Sequence, residues 1–297
     1  MTSQGRSITV DEYLFLNVRL SFTAQERDCF EESATQQFEL AKDLVKVALT
    51  SVPDDLKESL LVNFTSQSYV YAQVMGSPPL IMINVSMGLI EQAWRASQSV
   101  ADNDDIRRSV ERLILTIVVG HELTHAFSGH TEDEPDPQEG RSAEAHADFF
   151  SGLYVTQLSF NGRDINANNE NLSRCVWIFI AMLILVTLMD HEVSEEYHSS
   201  PVRFMFMVSG QLRWLYDRSP ELADRVAAAL KINVLVPIIE KIITDERLRD
   251  GMLSAVKMAL ASEEDIRETI ERANKFRGFW YQRAALMEPI RHLLDLS

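Results

Sequence analysis

Residues 121–125 read HELTH. On a helix, positions i and i+4 share a face, so His121 and His125 can offer imidazole nitrogens to one metal ion. Glu122 projects beside them and can take a proton from an attacking water. The chemistry of such a set is metal-assisted hydrolysis: two imidazoles hold Zn2+ and a carboxylate is the general base. Ile114, Leu115, Ile117, Val118 and Val119 run directly into the motif. The helix is therefore expected to be buried there, and buried histidine and glutamate side chains need partners.

A catalytic zinc takes a third protein ligand and keeps one position open. Residues 143–148 read AEAHAD, and Glu144 and Asp148 are again i and i+4. Glu144 comes 19 residues after His125, beyond one loop, which lets the two helices pack side by side. One carboxylate can then bind zinc. The other can accept a hydrogen bond from a ligand imidazole and fix its tautomer. His146 points off that face and reads as a bystander. His130 is not expected as a ligand, because the longer histidine pattern would need glycine at 128 and histidine at 131, where the chain has Ser128 and Thr131. Residues 198–203, HSSPVR, offer His198 as a donor to the oxyanion of peptide hydrolysis and Arg203 as a bidentate partner for Asp148.

These groups need elements to carry them. Leu14, Leu16, Val18, Leu20 and Phe22 alternate with less apolar neighbours, which predicts a strand. Phe30, Ala34, Phe38, Ala41, Val45 and Ala48 recur at helical spacing, with Pro53 as the stop. Residues 68–75 and 80–85 predict two strands joined by a Gly-Ser-Pro-Pro turn at 76–79, and 88–96 a helix. A long helix is expected over 106–130, an acidic loop over 131–140, a second helix from about Ser142 through Leu158, and a loop over 161–171. Ser262 and Asp265 suggest a helix start. The expected fold class is α+β, mostly α-helical, with a small antiparallel sheet near the N-terminus. Three regions follow: 1–100, mixed; 101–205, the helical zinc-site core; and 206–297, helical, all within one globule.

The chain has 297 residues, and 28 basic against 44 acidic side chains give a formal net charge of -16. That length supports a substantial core. The acidic balance argues against nucleic acid or an anionic membrane as the main partner. Two cysteines, Cys29 and Cys175, are too few for a disulfide framework and read as buried thiols. Residues 175–189 give 15 uncharged positions, short of the ~20 of a spanning helix, so a core helix is preferred over a membrane-dipping one. No signal-peptide pattern opens the chain, and a cytoplasmic location is expected.

HELTH resembles the zinc helix of gluzincin peptidases of the HtpX and CAAX-prenyl-protease type. EAHAD is similar to their acidic third-ligand motif. The resemblance implies Glu144 as the zinc ligand and Asp148 as the group that supports a ligand histidine. Ile83, Val85, Gly88 and Leu89 resemble the segment that, in that group, forms a substrate-binding edge strand followed by a helix. The motif order is also similar to that of Lit-type phage-exclusion peptidases. The resemblance spans about residues 68–205; the expected proline directly after the histidine comes later here, at Pro201. It implies a zinc-dependent endopeptidase acting on a protein or peptide, with Glu122 and His198 catalytic and Ile83 and Val85 in the substrate strand; a latent form of that peptidase, opened by a trigger, is a further reading. The alternative is a catalytically inactive protein of the same fold that serves as a binding or regulatory module.

Overall fold

The structure, a computed structural model, describes residues 7–17, 22–51, 60–77, 80–100, 103–128, 130, 137–161, 163–189 and 198–259. Helix α1 (Val10–Leu16) opens the described chain, then α2 (Ala24–Ala48), β1 (Leu60–Thr65), β2 (Ala72–Ser77), β3 (Leu80–Ser86) and α3 (Met87–Gln98). Next come α4 (Asp104–Ser128), α5 (Pro137–Ser159), α6 (Asn169–Leu188), α7 (Ser200–Tyr216), α8 (Pro220–Ala229), α9 (Ile232–Ile242) and α10 (Glu246–Ala259). The fold is α+β and mostly helical, as expected. The starts suggested at Ser262 and the stop at Pro53 lie outside the described residues.

Residues 14 and 16 are helical rather than extended. Thr9 caps α1: its hydroxyl accepts the Glu12 N–H, and the Glu12 carboxylate accepts the Thr9 N–H. That reciprocal pair satisfies two orphan donors and starts a helix that alternation alone does not reveal. Val10 and Tyr13, one turn apart, are the residues it buries, while Phe15 and Leu16 stay exposed. Val18 and Leu20 lie outside the described residues.

The sheet is mixed rather than antiparallel throughout. β2 and β3 form the expected antiparallel hairpin, with Gly76 at φ 92° beside the turn, a left-handed conformation that glycine adopts without strain. β1 then adds to the other side of β3 in parallel, giving the order β1-β3-β2. β3 is thus the central strand. Ile83 and Val85 are fully buried, and the β3 backbone is paired on both sides. The substrate strand expected at 80–85 is corrected accordingly: a ladder already paired on both sides has no edge to offer a peptide.

The 106–130 helix is α4, which ends at Ser128 and leaves His130 beyond it. From Ile114 to His125 every residue of α4 is buried, so this helix runs through the middle of the molecule. It packs against α2, α3, α5, α6 and β2. α5 begins at Pro137, before the expected Ser142. α6 begins inside the expected 161–171 loop, where the Asn168 side chain accepts the Asn171 N–H at 2.8 Å and caps it. Among the described residues α6 is the one helix long and apolar enough to cross a bilayer, and Ile178 through Val186 are buried in the core. Cys175 is buried, whereas Cys29 is exposed on α2, contrary to its expected burial. The main hydrophobic cluster draws on residues from Val10 to Val256.

α5 and α7 pack most intimately. A Cβ at Gly152 would stand 1.9 Å from the Met207 carbonyl oxygen, and one at Gly210 would stand 1.9 Å from that of Phe149. The two backbones touch because glycine occupies both contact points. The helix that carries Glu144 and Asp148 is thereby fixed against the helix that carries Arg203 in its first turn.

Candidate metal centre

Four side chains from two helices converge below the sheet. α4 presents His121, Glu122 and His125, and α5 presents Glu144. His121 Nε2 and His125 Nε2 are 3.0 Å apart. Glu144 Oε2 lies 3.2 Å from His121 Nε2, and Glu144 Oε1 lies 3.3 Å from His125 Nε2. The donor atoms of His121, His125 and Glu144 all fall within 4.8 Å of one another, forming a group that can hold a metal ion. Ligands placed ~2.0–2.1 Å from a tetrahedral zinc stand roughly 3.3–3.4 Å apart, so this spacing suits such an ion. The donor set suits it as well: two imidazoles and one carboxylate, with a fourth position left to water or substrate.

Each of the two imidazoles is held from behind. His121 Nδ1 is 3.0 Å from Asp148 Oδ1. Arg203, at the start of α7, grips the same carboxylate with Nε to Oδ2 and Nη2 to Oδ1, both at 2.9 Å. Arg203 Nη2 also approaches Glu144 Oε2 at 3.6 Å. Asp148 and Arg203 are both buried. His125 Nδ1 faces a different partner, His130 Nδ1, at 2.9 Å. The His130 ring lies 5.2 Å from that of His146, which packs at 4.7 Å against Phe150. His146, read from sequence as a bystander, is thus part of the wall behind His130.

The electrostatics follow from burial and from these pairs. Burial disfavours a charge on His121, but the hydrogen bonds to Asp148 and Glu144 outweigh it and lift its pKa to about 10. Burial acts against the Glu144 charge too, yet the His125 and His121 imidazoles hold its carboxyl well below the usual range. For Asp148, Arg203 and His121 overcome burial and lower the pKa. Glu122 behaves differently. Burial raises its pKa, against the opposing pull of His121 and His125 and of a hydrogen bond from the Val74 backbone N–H. A raised carboxyl beside a lowered one is the division of roles expected of a proton-handling group next to a ligand.

Val74 lies on β2, an edge strand. The Ser86 N–H donates to the Tyr71 carbonyl across the hairpin, which fixes the alternation of the ladder. Tyr71, Gln73 and Met75 therefore turn their backbone groups toward β3, while Ala72, Val74 and Gly76 turn theirs outward. The outward N–H of Val74 is the one directed at Glu122.

Of the residues singled out from sequence, His121, His125, Glu122, Glu144, Asp148 and Arg203 come together. His198 stands just ahead of α7 with its ring 5.7 Å from that of Phe206. Ile83 and Val85 lie in the core. His130 and Val74 were not anticipated at the site. A histidine five residues past the motif is visible in the sequence, but its place behind His125 depends on how the chain leaves α4. Val74 acts through its backbone and leaves no side-chain signal. No family model, curated protein or solved structure matches this chain.

Proposed function

We propose that the protein is a zinc-dependent endopeptidase, with His121, His125 and Glu144 holding the ion and Glu122 as general base. The observation that carries this reading is the convergence of two imidazole nitrogens 3.0 Å apart on one carboxylate, whose two oxygens lie 3.2 and 3.3 Å from them, with a buried carboxyl of raised pKa beside the group. Zinc bound there would act as a Lewis acid on the scissile carbonyl and favour deprotonation of the attacking water. Glu122 accepts the proton of that water as the oxygen adds to the carbonyl carbon. It then returns the proton to the nitrogen as the C–N bond breaks, so the leaving amine departs neutral. Asp148 and Arg203 keep His121 in one tautomer and one orientation.

The edge of β2 is the place for an extended peptide. Its outward backbone groups at Ala72 and Gly76 are those a substrate strand can pair with, and Val74, whose N–H is directed at Glu122, sits between them. Main-chain pairing of this kind reads the peptide backbone rather than its side chains, which suits an endopeptidase.

The test is Glu122→Gln in zinc-loaded protein, with a peptide mixture as substrate, assayed alone and in a lysate of stressed or phage-infected cells. The parent should cleave peptides in at least one of these conditions. Glu122→Gln should bind one zinc and cleave none. A parent that cleaves nothing in any condition while holding zinc favours the binding-module alternative.

A further inference from the structure

We propose that His130 is a positioning residue: it accepts a hydrogen bond from His125 and holds that imidazole with Nε2 aimed at the ion. The inference rests on the metal reading of His121, His125 and Glu144.

The argument starts from the two nitrogens of His125. Nε2 faces the ligand group, 3.0 Å from His121 Nε2 and 3.3 Å from Glu144 Oε1. A ligand nitrogen offers its lone pair, so the ring proton of His125 belongs on Nδ1. That nitrogen lies 2.9 Å from His130 Nδ1. His130 must then present a lone pair on Nδ1 and carry its own proton on Nε2. Only one tautomer of each ring satisfies the contact.

The packing supports this arrangement. The His130 ring meets His125 edge-on with centroids 4.8 Å apart and meets His146 at 5.2 Å. His146, buried on α5, is in turn backed by Phe150. The His130 ring is therefore clamped between a helix that carries two ligands and a helix that carries the third. A change in its angle would swing the nitrogen that sets His125.

The two ligand histidines are thus supported by different chemistry. His121 donates to a carboxylate that is clamped by Arg203, whereas His125 donates to a neutral imidazole. A carboxylate makes the imidazole it backs more basic than a neutral acceptor does. His130 supplies orientation to His125 with less gain in basicity.

The test is zinc affinity, measured by chelator competition at fixed pH in the parent, His130→Leu and His130→Asn. Asparagine can place an acceptor oxygen near the position of Nδ1, and leucine cannot. His130→Leu should weaken zinc binding about 10–100-fold, the range for lost support of a ligand, and His130→Asn should recover most of it. Equal affinity in parent and leucine variant, or equal losses in both variants, would overturn the inference while leaving the metal site intact. A parent that binds no zinc removes the metal reading and this inference together. Should the leucine variant fail to fold, ring 15N spectra of the parent decide: a proton on His130 Nε2 supports the assignment, and one on Nδ1 overturns it.

Discussion

Arg203 and Asp148 stand 55 residues apart in the chain and meet through two parallel hydrogen bonds of 2.9 Å, both side chains buried. Asp148 Oδ1 also faces His121 Nδ1. The guanidinium thus neutralises the carboxylate that faces His121. Removing it leaves a buried charge without its cation, a change that typically costs about 3–5 kcal/mol. Arg203→Met should lose stability of that order in urea titrations. A loss under about 1 kcal/mol would mean that Asp148 finds compensation elsewhere.

The contact of α5 with α7 leaves no room for a methyl group at Gly152 or Gly210. Gly210→Ala should force the helices apart, since its Cβ would meet backbone rather than a side chain able to move. Overpacking of this kind costs about 1–3 kcal/mol or more. Because the contact sets Asp148 against Arg203, the variant should also hold zinc less tightly than the parent. Unchanged melting together with unchanged zinc affinity would show that the two helices do not need this close approach.

The alternation of β2 predicts opposite effects for neighbouring prolines. Val74→Pro removes an outward N–H and leaves the pairing with β3 in place, as edge strands tolerate. Gln73→Pro removes a ladder hydrogen bond and should be the more destabilising by about 1 kcal/mol or more. Val74→Pro should fold and bind zinc, yet turn peptide over more slowly, because Glu122 has lost its backbone donor. If Val74→Pro were the less stable of the two, the assigned direction of the strand would be wrong.

Glu111, also on α4 but nearly three turns before His121, is a buried carboxyl held by the hydroxyls of Ser33 and Ser97. Burial raises its pKa above 4.5, and the two serine hydrogen bonds and Arg108 only partly oppose that. A folded-state pKa above the unfolded one means that the native protein holds this proton to higher pH. Stability from this group is therefore full below the unfolded pKa and falls as pH rises through the folded one. Glu111→Gln should flatten that part of the stability profile in denaturant titrations between pH 4 and 8. Parallel profiles for parent and variant would contradict the shift.

The site was legible in the sequence where its geometry is local. His121 with His125, and Glu144 with Asp148, are helical neighbours one turn apart, so spacing alone puts each pair on one face. α4 ends at Ser128 and α5 begins at Pro137, so the two helices are close neighbours in sequence as well as in space. Arg203 was legible only as a plausible partner, since nothing local ties α7 to α5; Gly152 and Gly210 do so through a contact between backbones. The central position of β3 was hidden because its parallel partner β1 lies about 20 residues upstream, and pairing across that distance leaves no periodic trace. The resemblance therefore led to an edge expected at β3, which is instead the central strand. Leu14 and Leu16 alternate like a strand, but the Thr9–Glu12 cap decides for a helix.

The central claim is that His121, His125 and Glu144 hold one catalytic zinc. Metal content by mass spectrometry, in purified parent and in a His121→Ala, His125→Ala variant, tests it most directly. About one zinc per parent chain and none in the variant is the predicted result, since the two imidazoles supply two of the three protein ligands. No zinc in the parent after reconstitution, or equal zinc in both proteins, would contradict it.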